Sequence, residues 1–504
     1  MALTLPPIDE EIVSPPPLDR GKIARHPAFG PKTQEQGQHG EWFMSTIDTV
    51  SGAPAAAVRR GTLFAFAAPA MGLYAIGLPV AVYLPPFYAK DLGLGLTLVG
   101  QIFMLCRFFD LAADLALGAA SDRVRSRWGR RRPMLALAVP LMCLGAFQMF
   151  MPPAGAGALY VLGWLVVMYA GYALGVISHM SWGAELSPDY HQRSRIQGWR
   201  EMAGIVGMVA VLALPALLEQ AGDGDKAHRI AAMGWFIIAI FPIGVVLALW
   251  KVPDPPSLTG TGAAHVSLRE ALATIARSRL LKRILLADLL AGVPPAVTGA
   301  LFVFMVESVV RAPALTSTLL LGYFIAGIIG IPGWLAISYR IGKHRAFALG
   351  AFWNCATGAA FLSLEPGMEG LLIAITLLHG LGYASGTFLL RAIMADVADE
   401  DELRNGRNRT GLFYGLLTMT NKVGFALAVG VTYPLLELFG FSPGAAASTP
   451  AGEAIPGVAA LIGLYVFLPL AMNLSAALVM LRFPLTAARL AEVRQGLAAR
   501  RTGA

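Results

Sequence analysis

From Leu63 to Leu481 the chain is cut into apolar stretches, each near the 17–25 residues that cross a bilayer, with short polar breaks between them. Continuous apolar runs of that length span lipid as helices, because only a helix pairs all of its own backbone N–H and C=O groups there. The stretches fall at residues 63–88, 97–120, 134–152, 158–184, 202–219, 230–250, 283–307, 315–338, 346–364, 369–395, 410–439 and 457–481, twelve in all. Composition agrees: 56% of the 504 residues are hydrophobic and 14% charged, and mean hydropathy is +0.62. A soluble domain lies nearer half apolar and a quarter charged. The expected fold class is therefore an all-α membrane protein of twelve transmembrane helices.

The net charge of +8 does not point to nucleic acid, since the excess sits in the connections between spans. Arg123, Arg125, Arg127, Arg130, Arg131 and Arg132 follow the second span, and Arg193, Arg195 and Arg200 follow the fourth. Further basic clusters lie between spans six and seven and after spans eight and ten; the other side has only Lys90, Lys226, Arg229 and Arg311. Cytoplasmic loops collect lysine and arginine, so both termini are expected in the cytoplasm and the protein in the inner cell membrane. Residues 1–60, rich in Pro, Gly and polar residues, read as a disordered cytoplasmic tail. Residues 61–250 make a first six-helix half and 283–481 a second. Between them, 251–282 is a cytoplasmic loop whose VSLREALATIARSRLLKR segment, running on into the seventh span, reads as an amphipathic basic helix on the inner leaflet; 482–504 is a basic tail. The three cysteines have no metal-ligand or disulfide spacing.

The halves echo each other. Glu185 stands eight residues before Arg193, and Asp396 eight before Arg404. Gly118 followed by Asp122 and Arg123 has a degenerate counterpart in Gly333 followed by Arg340, Lys343 and Arg345. Two six-helix halves in parallel repeat are the pattern of the major facilitator architecture. Repeated charge at the cytoplasmic helix ends suggests a gate in which Asp122, Arg123, Glu185, Arg193, Asp396 and Arg404 pair across the halves when that side closes.

Charge inside a span is costly and marks function by default. Asp110 and Asp114 lie one helical turn apart in the second span, close enough for both carboxylates to meet one small object. They read as the site of a coupling cation, sodium or a proton, since hard cations take carboxylate oxygen; the bland alternative is an ion pair holding helices together. Lys422, well inside the eleventh span beside Thr418, Thr420 and Asn421, reads as their charge partner or a solute contact, and Arg107 as an intrahelical partner of Asp110. Asp288 has no assigned role. His179 and His379 read as packing residues, with a proton relay as the alternative, and Trp182 and Trp353 as interfacial anchors that could instead stack on a sugar. Nothing resembles a nucleotide-binding loop or a catalytic triad, so no enzyme activity and no cofactor beyond the coupling ion are expected.

RFFDLAADLALGAASDRVRSRWGRRRP, WGAELSPDYHQRSR, MADVADEDELRNGRNRTGLFYG and TNKVGFALA resemble, in order, signatures of the glycoside-pentoside-hexuronide:cation symporters of the major facilitator superfamily. The resemblance implies two six-helix pseudo-symmetric halves and a helix 2 cation site matched by Asp110 and Asp114. It also implies a helix 11 lysine matched by Lys422, and a helix 5 substrate arginine matched by Arg200 with a one-residue shift. Thr418 and Asn421 join the solute and coupling set. The acids with which the family's galactoside carrier holds sugar in helices 1 and 4 have no counterpart: FAFAAPAMGLYAIGLPVAVYLPPFY has none, and Val176 falls where the second would. The expected function is cation-coupled symport of a sugar or glycoside-type solute by a monomer embedded in membrane lipid. The rivals are a lysolipid or other amphiphile symporter, and a non-transporting sensor or assembly factor on the same fold.

Overall fold

The computed structural model describes residues 58–123, 126, 129, 131–187, 190–222, 225–253, 274–406, 409–444, 449, 453, 455–485 and 487–502. Of the expected amino-terminal tail, residues 1–57 lie outside them, as do residues 254–273 of the middle loop. Among the described residues twelve helices are long and apolar enough to cross a membrane, and there is no strand. Large apolar side chains such as Phe64, Leu105, Ile243, Val246 and Leu478 are more than half exposed. On a water-soluble protein that surface would aggregate; on a multi-pass membrane protein it meets lipid.

The helices are α1 (Arg60–Ala75), α2 (Leu96–Arg123), α3 (Arg132–Phe150), α4 (Ala158–Glu185), α5 (Tyr190–Gln220), α6 (Lys226–Lys251), α7 (Arg279–Phe304), α8 (Thr316–Ile341), α9 (Lys343–Ala359), α10 (Glu369–Asn405), α11 (Thr410–Leu438), α12 (Val458–Leu481) and α13 (Ala487–Thr502). Two of them outrun their apolar stretch. α5 starts at Tyr190, well before the apolar run, and α10 continues to Asn405, so Arg193, Arg195, Arg200, Asp396 and Arg404 lie on helices. Hydropathy marks only the part of a helix that lipid surrounds. Helix ends follow local chemistry: the Asp225 side chain accepts from the Ala227 N–H to start α6, and Gly406, at φ 68°, stops α10 in the left-handed conformation that suits glycine.

The expected middle-loop helix does not run through to Arg283. Ser278 breaks it, its hydroxyl accepting from the Leu281 N–H, so Arg279, Lys282 and Arg283 belong to α7. The carboxy-terminal tail holds α13, whose Val493 and Leu497 are buried and which packs on α10.

Packing repeats between the halves. α1 packs on α5 and α6 as α7 packs on α11 and α12; α3 packs on α4 and α6 as α9 packs on α10 and α12; α2 packs on α4 as α8 packs on α10. The cross-half contacts α2 with α11 and α5 with α8 exchange under the same operation. Even the irregularities correspond: α1 continues into π-helical turns ending at Phe87–Asp91, and α7 into one at Met305–Val310. These are two six-helix halves in pseudo-symmetric arrangement.

Candidate functional site

α2 and α11 approach closely because glycine stands where they touch. A Cβ at Gly100 would come 3.0 Å from the Val429 carbonyl oxygen, and one at Gly430 would collide with Met104. Small residues at such crossings let helix backbones meet in lipid. Further along the same seam, Lys422 of α11 projects toward the two aspartates of α2. Its Nζ lies 2.5 Å from Asp114 Oδ2 and 2.8 Å from Asp110 Oδ2. The ammonium thus sits between two carboxylates of the other half. Asp110 is fully buried while Asp114 is about a quarter exposed, so the pair opens to one side only. Lys422 directs a hydrogen bond to Asp114, whereas neither Asp110 oxygen receives a directed one.

Arg107 is less of a partner to Asp110 than its spacing suggests: Nη1 is 4.0 Å from Oδ2. Its guanidinium lies instead 4.9 Å from the centre of the Tyr169 ring on α4 and 6.0 Å from that of Phe425 on α11. Cations are held over ring faces at such distances. Two carboxylates, one ammonium and one guanidinium therefore balance, and a cation could replace Lys422 without any new acid. Asp110 and Asp114 offer oxygen ligands of the right kind for sodium or a proton, although among the described residues no group of three or more potential metal ligands assembles.

The other expected residues are dispersed. Arg200, nearly buried, pairs with Glu201 at 3.1 Å and stacks 5.6 Å from the Tyr74 ring on α1, whose hydroxyl donates to Glu201 at 2.7 Å. Thr418 is exposed and donates to the Tyr414 carbonyl of its own helix. Asn421 lies against Gly292 of α7. Asp288 finds a partner in the Thr420 hydroxyl at 2.5 Å. His179 and Trp182 are packing residues: the histidine Nε2 is 2.6 Å from the Phe66 carbonyl, and both rings meet Phe66. Trp353 is part-exposed and donates to the Leu378 carbonyl. His379 differs, for it lines a cleft with Tyr323, Tyr383 and Tyr465.

At the face carrying the basic clusters, the expected gate residues pair within their own half. Glu185 accepts from Arg131 at 2.8 Å, and Asp396 lies 2.6 Å from Lys343 and 3.6 Å from Arg494 of α13. Arg193 donates to the Ser187 carbonyl and Arg404 to Glu400. Among the described residues no ion pair joins the halves there; the side chains of Asp122 and Arg123 lie outside them.

The cross-half pairing stands at the opposite face. Glu307, in the π-helical turn after α7, pairs with Lys90, in the equivalent turn after α1, at 2.5 Å, and with Lys226 of α6. Glu219, at the end of α5, accepts from Arg229 at 2.8 Å and from the Ser317 and Thr318 N–H groups at 3.0 Å each, and so caps α8 of the other half. Glu437, at the end of α11, does the same for α2 through the Thr97 N–H at 2.7 Å. Sequence reasoning passed over these acids. The signal was present: Lys90 and Glu307 are 217 residues apart, close to the separations of Glu185 from Asp396 and of Gly118 from Gly333 in the internal repeat.

With this geometry the protein is of the major facilitator transporter class. Residues 65–487 match the model of the MFS/sugar transport protein family, and the chain belongs to that family. It is 25% identical to a glucuronide carrier protein homolog of Escherichia coli over 82% of this chain and 90% of that protein. It is 23% identical to the isoprimeverose transporter of Lactiplantibacillus pentosus, over 75% and 80% respectively. In fold it is similar to the crystal structure of the nucleoside transporter NupG, with a TM-score of 0.61, 12% identity and coverage of 84% of this chain and 98% of that one.

Proposed function

We propose that the protein is a cation-coupled symporter of a glycoside-type solute, with Asp110 and Asp114 as the seat of the coupling ion, sodium or proton. The observation that carries the reading is the Lys422 ammonium lying between those two carboxylates, across the interface of the halves. Two carboxylates one turn apart repel when both are ionised, and a low-dielectric surround strengthens the repulsion. Lys422 relieves it in this state. An arriving cation relieves it instead and releases the ammonium, which loosens α2 from α11. Ion binding and the relative position of the halves are then linked, and the linkage is reciprocal.

The basic face is cytoplasmic in this reading, following the distribution of lysine and arginine, so the state described is closed outward and open inward. The acids Glu185 and Asp396 exchange their own-half partners for cross-half ones when the cytoplasmic side closes. Each chain holds both halves and acts as a monomer in the lipid of the cell membrane. Uptake of radiolabelled glycosides into vesicles, driven by a sodium gradient or a pH gradient, tests the proposal. The expected result is accumulation with one of the two ions and its loss in Asp110→Asn and Asp114→Asn, both still in the membrane. Ion-stimulated uptake that survives in both variants would refute the assignment.

A further inference from the structure

The cleft lined by His379 lies mainly in the second half, between α7, α8, α10 and α12, with the turns after α1 and Phe425 of α11 closing one side. An adjoining cleft shares Thr298, Tyr323, His379 and Tyr383 with it and adds Asn354, Ser385 and Asn473. Among the described residues neither cleft is lined by an acid, a lysine or an arginine. Arg107 stands in a neighbouring pocket that shares Ala81, Ala296 and Phe425 with the first cleft, where its guanidinium is 6.0 Å from the Phe425 ring centre and 4.0 Å from Asp110. A carboxylate or sulfonate placed here would lose its hydration and find no free cation, a cost of several kcal/mol.

The polar groups that do face the cleft are neutral and have unused capacity. The Thr357 hydroxyl donates to the Trp353 carbonyl at 2.8 Å and lies 2.8 Å from His379 Nδ1. Its single proton is thereby used, so Nδ1 carries the imidazole proton and donates to Thr357. His379 Nε2 is then an acceptor, with no protein partner among the described residues. One turn away on α10, Thr376 is fully buried, lines the cleft, and its Oγ1 has no hydrogen-bond partner. An unpaired buried hydroxyl costs stability. Around these two groups stand aromatic rings: Tyr323 with its centre 5.9 Å from the His379 ring, Phe361 at 5.8 Å, and Tyr465 at 5.1 Å from Phe361.

We propose that this cleft seats the solute and that the solute is an uncharged glycoside with a flat apolar aglycone, excluding sugar acids. Solute hydroxyls meet His379 Nε2 and Thr376 Oγ1 while the apolar portion lies on the aromatic wall. The inference rests on the transporter reading and deepens it. α11 carries both Lys422 and, one turn on, Phe425 of the cleft wall, so ion site and solute site share an element.

The test uses the purified full-length protein in lipid nanodiscs, titrated calorimetrically with para-nitrophenyl glucoside, galactoside, xyloside and glucuronide. At least one neutral glycoside is expected to bind, with the glucuronide at least about tenfold weaker, as a missing counter-charge requires. Thr376→Val and His379→Leu should each weaken the neutral ligand by up to about tenfold, the worth of one hydrogen bond; Thr376→Ser, which keeps the hydroxyl, should restore it. Equal or tighter binding of the glucuronide, indifference to both substitutions, or no binding of any of the four would overturn the proposal. Failure of the two readings is distinguishable. Ion-driven uptake of glucuronide insensitive to His379→Leu would keep the transporter and remove this seat. Cleft binding without ion-stimulated uptake of any glycoside would do the reverse.

Discussion

The two faces of the molecule use the same kinds of side chain in opposite ways. On the face with the basic clusters, Glu185 and Asp396 pair with Arg131 and Lys343 of their own halves. On the other face, Glu307, Glu219 and Glu437 reach across to the other half, two of them to helix N-termini. The difference shows which end is latched in this state, and it shows that charge count is a poor guide to a gate. The basic face has many charges and no cross-half pair among the described residues, whereas the sparse face has few, nearly all of them engaged. An acid on the backbone N–H groups of a helix of the other half ties the halves together, whereas an ion pair within one half leaves them free to move apart.

The contrast is most severely tested at Glu219, whose side chain is 2% exposed and whose partner Arg229 is also buried. Glu219→Ala leaves a buried guanidinium unpaired and two helix-end N–H groups uncapped, a loss of about 3–5 kcal/mol. Spin labels on α5 and α8 at that face should report a shift to longer separations; unchanged distances would break the latch account. Glu307→Gln should do less, about 1–2 kcal/mol, because Lys90 and Lys226 are part-exposed and can turn to water. The same distance measurement checks it, and an effect as large as that at Glu219 would contradict the ranking. Smallest of all, Glu185→Gln and Asp396→Asn should leave those distances at the latched face unchanged, because Arg131 and Lys343 lie in the same halves as their acids. A large opening of the latched face by either would show that the two ends are not distinct.

Much of this was legible in the sequence. Twelve spans follow from apolar length, and every expected span overlaps one observed helix. The triad of Asp110, Asp114 and Lys422 was legible because charge in an apolar run stands out and i, i+4 spacing needs no fold to interpret. What escaped was set by geometry between distant segments. Glu219 and Glu437 look like ordinary span-end acids until α8 and α2 are placed under them. Arg200 was expected at the solute, and its pairing with Glu201 and stacking on Tyr74 of α1 could not be read from the sequence. The Thr418 hydroxyl donates to the Tyr414 carbonyl of its own helix, which the sequence did not show. His379 looks like any packing histidine, and only the Thr357 contact reveals that one ring nitrogen is left over.

In the proposed mechanism Lys422 stands in the place of the coupling ion. Titration calorimetry of sodium chloride against a choline chloride control, with proton uptake followed in two buffers, tests it on wild type, Asp110→Asn, Asp114→Asn and Lys422→Ala. If ammonium and ion compete for the two carboxylates, either asparagine variant should lose the cation. Lys422→Ala should bind it roughly tenfold or more tightly, the scale on which one neighbouring charge acts at a carboxylate. Identical sodium and proton binding in all four proteins would contradict the claim and leave the three charges as a structural tie between α2 and α11.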